Sequence, residues 1–127
     1  MKENIKNVLL IIEDDEIILR ALYLAFHEAG CTVATAADGE SGLRMTERLK
    51  PDLVLLDLLI PKLDGFGYLK AIKSNVELKK TPVIVLSNLG DQESVDKAKA
   101  LGAEDYFIKS DTDLSELVKK VSKYWAS

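Results

Sequence analysis

Glu13, Asp14, Asp57, Ser87 and Lys109 are the residues whose types and spacing could do chemistry, because each lies at the end of a short apolar run. Val8-Leu9-Leu10-Ile11-Ile12 stops at Glu13-Asp14-Asp15, and Leu53-Val54-Leu55-Leu56 stops at Asp57. Val83-Ile84-Val85-Leu86 stops at Ser87, and Tyr106-Phe107-Ile108 at Lys109. Two carboxylates about 4 Å apart repel by about 4 kcal/mol at an effective dielectric of about 20. Three acids gathered at one point therefore call for a cation or a proton to neutralise them. A hard divalent ion with oxygen ligands is the direct remedy, and Mg²⁺ suits one or two carboxylates, waters and a phosphate oxygen. Asp14 and Asp57 are the candidate direct ligands, Glu13 would hold a water of the ion, and a backbone carbonyl near Leu59 could complete the set. Lys109 and Ser87 add a point charge and a hydrogen bond, as phosphoryl transfer requires. No Ser, Cys or His elsewhere ends a strand beside a base, so the available nucleophile is a carboxylate that forms an aspartyl phosphate. Asp57 is the better candidate, since it ends the central strand while Glu13 and Asp14 serve the metal.

These residues meet only if the four runs lie side by side. Short apolar runs bounded by polar residues read as strands buried on both faces of a parallel sheet, whose ligands bind beyond the carboxyl ends. A less apolar strand, Cys31 to Ala36, reads as an edge, and the last strand runs from about Glu104 to Ile108. Helical periodicity follows each strand. Ile18, Ala21, Leu22, Ala25 and Ala29 share one face, with Asp14 or Asp15 as cap and Gly30 as stop. Asp38-Gly39 opens a second helix to Leu49, ended by Pro51 and its restriction on Lys50. Phe66, Leu69 and Ile72 mark a third, and Val95, Ala98 and Leu101, capped by Asp91, a fourth. Leu114, Leu117, Val118, Val121 and Trp125 mark the fifth. Strict alternation predicts an α/β fold, a doubly wound five-stranded parallel sheet of flavodoxin-like order 2-1-3-4-5 with five helices. The reading is of one domain over residues 1–127, without an output module.

The totals agree with a globular chain: 127 residues, 47% hydrophobic and 30% charged. A net charge of −4 without a basic stripe argues against nucleic acid as a partner. No apolar stretch approaches the roughly 20 residues that span a bilayer, and no signal peptide opens the chain. One cysteine, Cys31, fits a reducing compartment, so a cytoplasmic location is expected. His27 and the run Lys119-Lys120…Lys123 read as solvated helical faces, and Cys31 as a small buried side chain.

Taken together, the motifs resemble those of a response-regulator receiver domain over nearly the whole chain. The acidic pair after the first strand matches Glu13-Asp14, the phosphoacceptor Asp57, the family's Ser/Thr Ser87 and its lysine Lys109. Pro61…Asp64-Gly65 matches the loop after the phosphoacceptor, and Tyr106 the aromatic that rotates inward on activation. The resemblance implies that a sensor histidine kinase or histidine phosphotransfer protein donates a phosphoryl group to Asp57 with Mg²⁺, adding roughly −1.5 to −2 charge. Ser87 then moves toward that group, Tyr106 fills the vacated space, and the face of helix 4, strand 5 and helix 5 changes toward an effector protein. Such a chain is not an enzyme beyond promoting its own aspartyl phosphorylation and dephosphorylation, and it is a monomer or a weak phosphorylation-dependent dimer.

Four positions depart from the family's pattern. Ser110 stands where proline, often after a cis peptide, follows the lysine; a cis bond to a non-proline residue costs about 2.5–4 kcal/mol, so a trans bond or a rearranged loop is expected. Asn88 replaces a small residue after Ser87 and could narrow access to Asp57. Leu59 and Leu89 occupy the positions that tune phosphoaspartate hydrolysis, and as apolar side chains neither orients an attacking water. A long-lived phosphoryl group is expected. Two other readings stand beside this one: a phosphorylation-independent binding module of the same fold, and a metal phosphohydrolase. The second places an acid two residues after the nucleophile, where this chain has Leu59.

Overall fold

Alternating apolar runs and amphipathic segments fold here as a parallel sheet covered by helices on both faces. The computed structural model describes residues 7–124. Its strands are β1 (Val8–Ile12), β2 (Thr32–Ala36), β3 (Leu53–Leu56), β4 (Val83–Ser87) and β5 (Asp105–Ile108). Its helices are α1 (Glu16–Glu28), α2 (Gly39–Leu49), α3 (Gly65–Lys73), α4 (Gln92–Ala100) and α5 (Leu114–Ser122). The sheet order is β2-β1-β3-β4-β5 and every pairing is parallel, as predicted.

Strand side chains alternate between two cores. Leu10, Ile12, Val54, Leu56, Val83 and Val85 pack on the side of Tyr68, Leu69 and Ile72 of α3 and Ala98 of α4. Leu9, Ile11, Leu53, Leu55, Ile84 and Leu86 pack against Leu22 and Phe26 of α1 and Leu117 and Val121 of α5. β3 and β4 are buried throughout, and β1 from Leu9 onward. β5 lies at the edge where the predicted order puts it, but its residues are half-buried rather than buried on both faces. Only one neighbour covers an edge strand, so apolar composition alone does not bury it.

Helix ends follow local chemistry. Asp15 caps α1, accepting from the amides of Ile17 and Ile18, and Gly30 leaves the helix with φ +96°. The inward face of α1 needs correction, because Ala21 and Ala29 are exposed and the buried residues are Leu22 and Phe26. Leu22 and Phe26, four residues apart, share the inward face, and Ala29 is already the cap beyond the helix. Lys50 is also corrected: instead of extended backbone before Pro51 it adopts the left-handed conformation, φ 47°, with its amide on the Thr46 carbonyl. That closes α2 with a left-handed cap. Leu117 and Val121 anchor α5, while Leu114 is exposed at its start; Trp125 lies outside the described residues.

Candidate functional site

Register, not sequence proximity, assembles the site. Ile12 pairs with Leu56, and the Asp57 amide donates to the Ile12 carbonyl at 3.0 Å, so Glu13 and Asp57 leave neighbouring strands at one level. Ser87 pairs with Ile108, which makes Lys109 the next residue beyond β5. By strand alternation Glu13, Asp57 and Lys109 continue the rows Leu9-Ile11, Leu53-Leu55 and Phe107, on the face that α1 and α5 cover. Ser87 continues the row Val83-Val85 on the other face, which Tyr106 shares.

The Lys109 ammonium joins the two inner acids. Its Nζ donates to Glu13 Oε1 at 2.8 Å and to Asp57 Oδ2 at 2.9 Å. Glu13 is only 2% exposed and Asp57 5%. The Asp15 amide donates to Glu13 Oε2 at 3.0 Å, and the Leu59 amide to Asp57 Oδ1 at 3.2 Å. Each oxygen of both buried carboxylates thus has a donor, as buried polar groups require. Burial raises the Glu13 carboxyl above its ordinary 4.5, against the opposing pull of Lys109 and the Asp15 amide. Burial also works to lower the Lys109 ammonium, but its bonds to Glu13 and Asp57 outweigh it and hold the group above 10.5.

Glu13, Asp14 and Asp57 each place a carboxylate oxygen within 4.8 Å of the others. Asp14 is exposed and, among the described residues, has no ion-pair partner. Three carboxylates with one ammonium leave two negative charges, which one divalent ion balances. Hard oxygen donors at this spacing, one of them open to solvent, fit Mg²⁺.

Behind Asp57 the backbone approach is closer than a side chain allows. A Cβ on Gly65 would lie 2.5 Å from Leu58 Cα and 2.8 Å from the Asp57 carbonyl oxygen. The Gly65 amide donates to the Leu58 carbonyl at 3.0 Å, and Asp64 caps α3 through the Gly67 amide at 2.8 Å. The first turn of α3 therefore rests on the backbone of Asp57 and Leu58. The Asp64-Gly65 pair was visible in the sequence as a loop motif, but not this contact.

On the opposite face Ser87 is fully buried, and its Oγ accepts from the Leu89 amide at 3.3 Å. The Tyr106 hydroxyl donates to the Leu89 carbonyl, so β5 and the β4–α4 loop are already tied together. Burial, then the charges of Asp91 and Asp57, raise that hydroxyl above its usual 10. Asn88 and Leu59 are exposed, and Leu89 is half-buried. No cis peptide bond occurs among the described residues, so Lys109-Ser110 is trans as expected. A 3-10 turn, Lys109–Asp111, takes the place of the expected loop, held by the Thr112 hydroxyl donating to the Ile108 carbonyl at 2.7 Å. Sequence reading missed this turn, for which the polar run Ser110-Asp111-Thr112 was the available signal. His27 stacks on Tyr23 on the exposed side of α1, and Cys31 is buried.

Residues 9–122 match the family of response regulator receiver domains. The chain belongs to that family. It is 41% identical over 101 residues to the transcriptional regulatory protein AfsQ1 of Streptomyces coelicolor, covering 80% of this chain and 44% of that protein. This receiver domain thus spans less than half the length of that relative. Vibrio cholerae chemotaxis protein CheY4 superposes with a TM-score of 0.87 at 26% identity, covering 94% of this chain and 99% of that one. The phosphorylated cyanobacterial phytochrome response regulator RcpA gives 0.82 at 30% identity, covering 95% and 94%. The receiver is a module of two-component signalling, and no helix among its described residues is long and apolar enough to cross a membrane.

Proposed function

We propose that this receiver accepts a phosphoryl group on Asp57 from a histidine kinase or a histidine phosphotransfer protein, and that the group switches its α4–β5–α5 face toward an effector in the cytoplasm. The observation that carries the reading is the buried Asp57, held by Lys109 at 2.9 Å within one cluster of three carboxylates. An Asp57 oxygen attacks phosphorus while the bond from phosphorus to the donor nitrogen breaks. Lys109 meets the charge on one phosphoryl oxygen, and the Ser87 hydroxyl donates to another once it leaves the Leu89 amide. Glu13, Asp14, Asp57 and the Leu59 backbone carbonyl would hold Mg²⁺, which when bound supplies further charge neutralisation. The domain promotes gain and loss of its own phosphoryl group and turns over no second substrate.

A groove of about 250 Å³ opens beside Lys109, lined by Ile17, Ile18, Ala21, Leu86 and Leu114 among others. Ile17 is 83% exposed at its rim, which supports a donor seated there with its phosphoryl group over Asp57. Ser110 leaves Lys109 in register and Asn88 is exposed, which favours this reading over a binding module that is never phosphorylated.

Incubation with acetyl phosphate and Mg²⁺ tests it by intact mass. One added phosphoryl group that disappears in Asp57→Ala and without Mg²⁺ is the expected result. An unchanged mass, or a gain retained in Asp57→Ala, overturns the assignment.

A further inference from the structure

α4 is the most lightly anchored helix on its side of the sheet. Ala98 is its only fully buried residue, with Val95 and Leu101 half-buried. An alanine methyl buries little apolar surface, so packing alone holds this helix weakly. Its remaining exposed side chains are mostly charged, and one has a specific partner across the helix pair. Lys97 places its Nζ 4.3 Å from the centroid of the Phe66 ring on α3. Phe66 is half-buried and packs against the core beneath. It directly follows Gly65, the residue pressed against the backbone of Asp57 and Leu58.

We propose that the Lys97–Phe66 contact is a latch that fixes α4 against the first turn of α3, and so ties the helix to the backbone carrying the phosphoacceptor. The tie does not run through Ser87 or Tyr106, whose hydroxyls bond to the backbone of Leu89. The latch has the right chemistry for a reversible fastening. An ammonium over a ring face is attracted without being desolvated, so at an exposed site it is strong enough to bias a lightly packed helix and weak enough to release. Displacing α4 away from α3 separates the pair. Displacing the first turn of α3 moves the ring under the ammonium. Either movement is therefore felt by the other element.

Amide hydrogen exchange of α4 in the full chain, without any phosphoryl donor, is the test, and it stands whether or not Asp57 is ever phosphorylated. Lys97→Met keeps the length and apolar stem of the side chain and removes the charge; Phe66→Leu keeps an apolar plug and removes the ring face. Each is expected to speed exchange at the slow amides of α4 by roughly two- to fivefold, the size of an exposed cation–π contact. The double variant is expected to exchange no faster than Phe66→Leu alone. Wild-type exchange of α4 in Lys97→Met overturns the proposal. So does a full Lys97→Met effect that persists in the Phe66→Leu background, since the charge would then act on something other than the ring.

Discussion

Replacing Lys109 with methionine removes the ammonium that Glu13 and Asp57 share, and the structure sets the size of the consequence. Both carboxylates are almost wholly inaccessible to water, so solvent does not screen them when their partner goes. Removing one member of a buried pair costs about 3–5 kcal/mol. Their oxygens lie within 4.8 Å, a repulsion of about 3.5 kcal/mol at an effective dielectric of about 20. Protonation caps the loss. The Glu13 carboxyl is already held above 4.5, and Lys109 is one of the groups that lower it, so without Lys109 it rises further. We expect Lys109→Met to lose about 3 kcal/mol at pH 7. The folded variant then holds a proton that the unfolded chain releases, so its deficit shrinks as pH falls from 7 toward 5. Mg²⁺, which binds the folded cluster, recovers part of it at pH 7. The wild type behaves oppositely at high pH: Lys109 is raised in the fold, so its contribution is complete below 10.5 and is lost as pH climbs through the folded value. The variant lacks that alkaline loss. Urea denaturation across pH, with and without millimolar Mg²⁺, measures all of this. A deficit below about 1 kcal/mol at pH 7, or one indifferent to both pH and Mg²⁺, refutes the electrostatic account.

Gly65→Ala puts a methyl 2.5 Å from Leu58 Cα, and backbone on both sides has to shift. It should cost about 1–3 kcal/mol in urea denaturation and slow phosphorylation by acetyl phosphate more than it changes the far end of the sheet. Lys50→Gly removes the strain of a left-handed residue at φ 47° and should raise stability by about 0.5–1 kcal/mol, read as a higher urea midpoint at unchanged slope. Leu59 and Leu89 offer no group to orient water, so the phosphoryl mass on Asp57 should persist for minutes or longer at neutral pH with Mg²⁺, as followed by intact mass. Loss within seconds contradicts that reasoning.

The apolar runs marked where β1, β3 and β4 lie, because a strand buried on both faces leaves little room for a polar residue and its end is marked by the first one. Strict alternation with amphipathic helices then fixed a parallel sheet, and with it the convergence of Glu13, Asp57, Ser87 and Lys109 at one edge. Those signals are local and survive in one dimension. Contacts between distant elements do not. Lys109 meets Asp57 across 52 residues, and its second bond, to Glu13, appears only once the register of β1 against β3 and the order of β5 in the sheet are set. From sequence Glu13 was read only as a metal-side acid, though it is also a partner of the lysine. Phe26 rather than Ala29 closes the inner face of α1 because the helix ends at Glu28 and Ala29 is already its exposed cap. Gly65 had to be glycine because another part of the chain arrives within a methyl's radius of it, and only tertiary structure brings that backbone there.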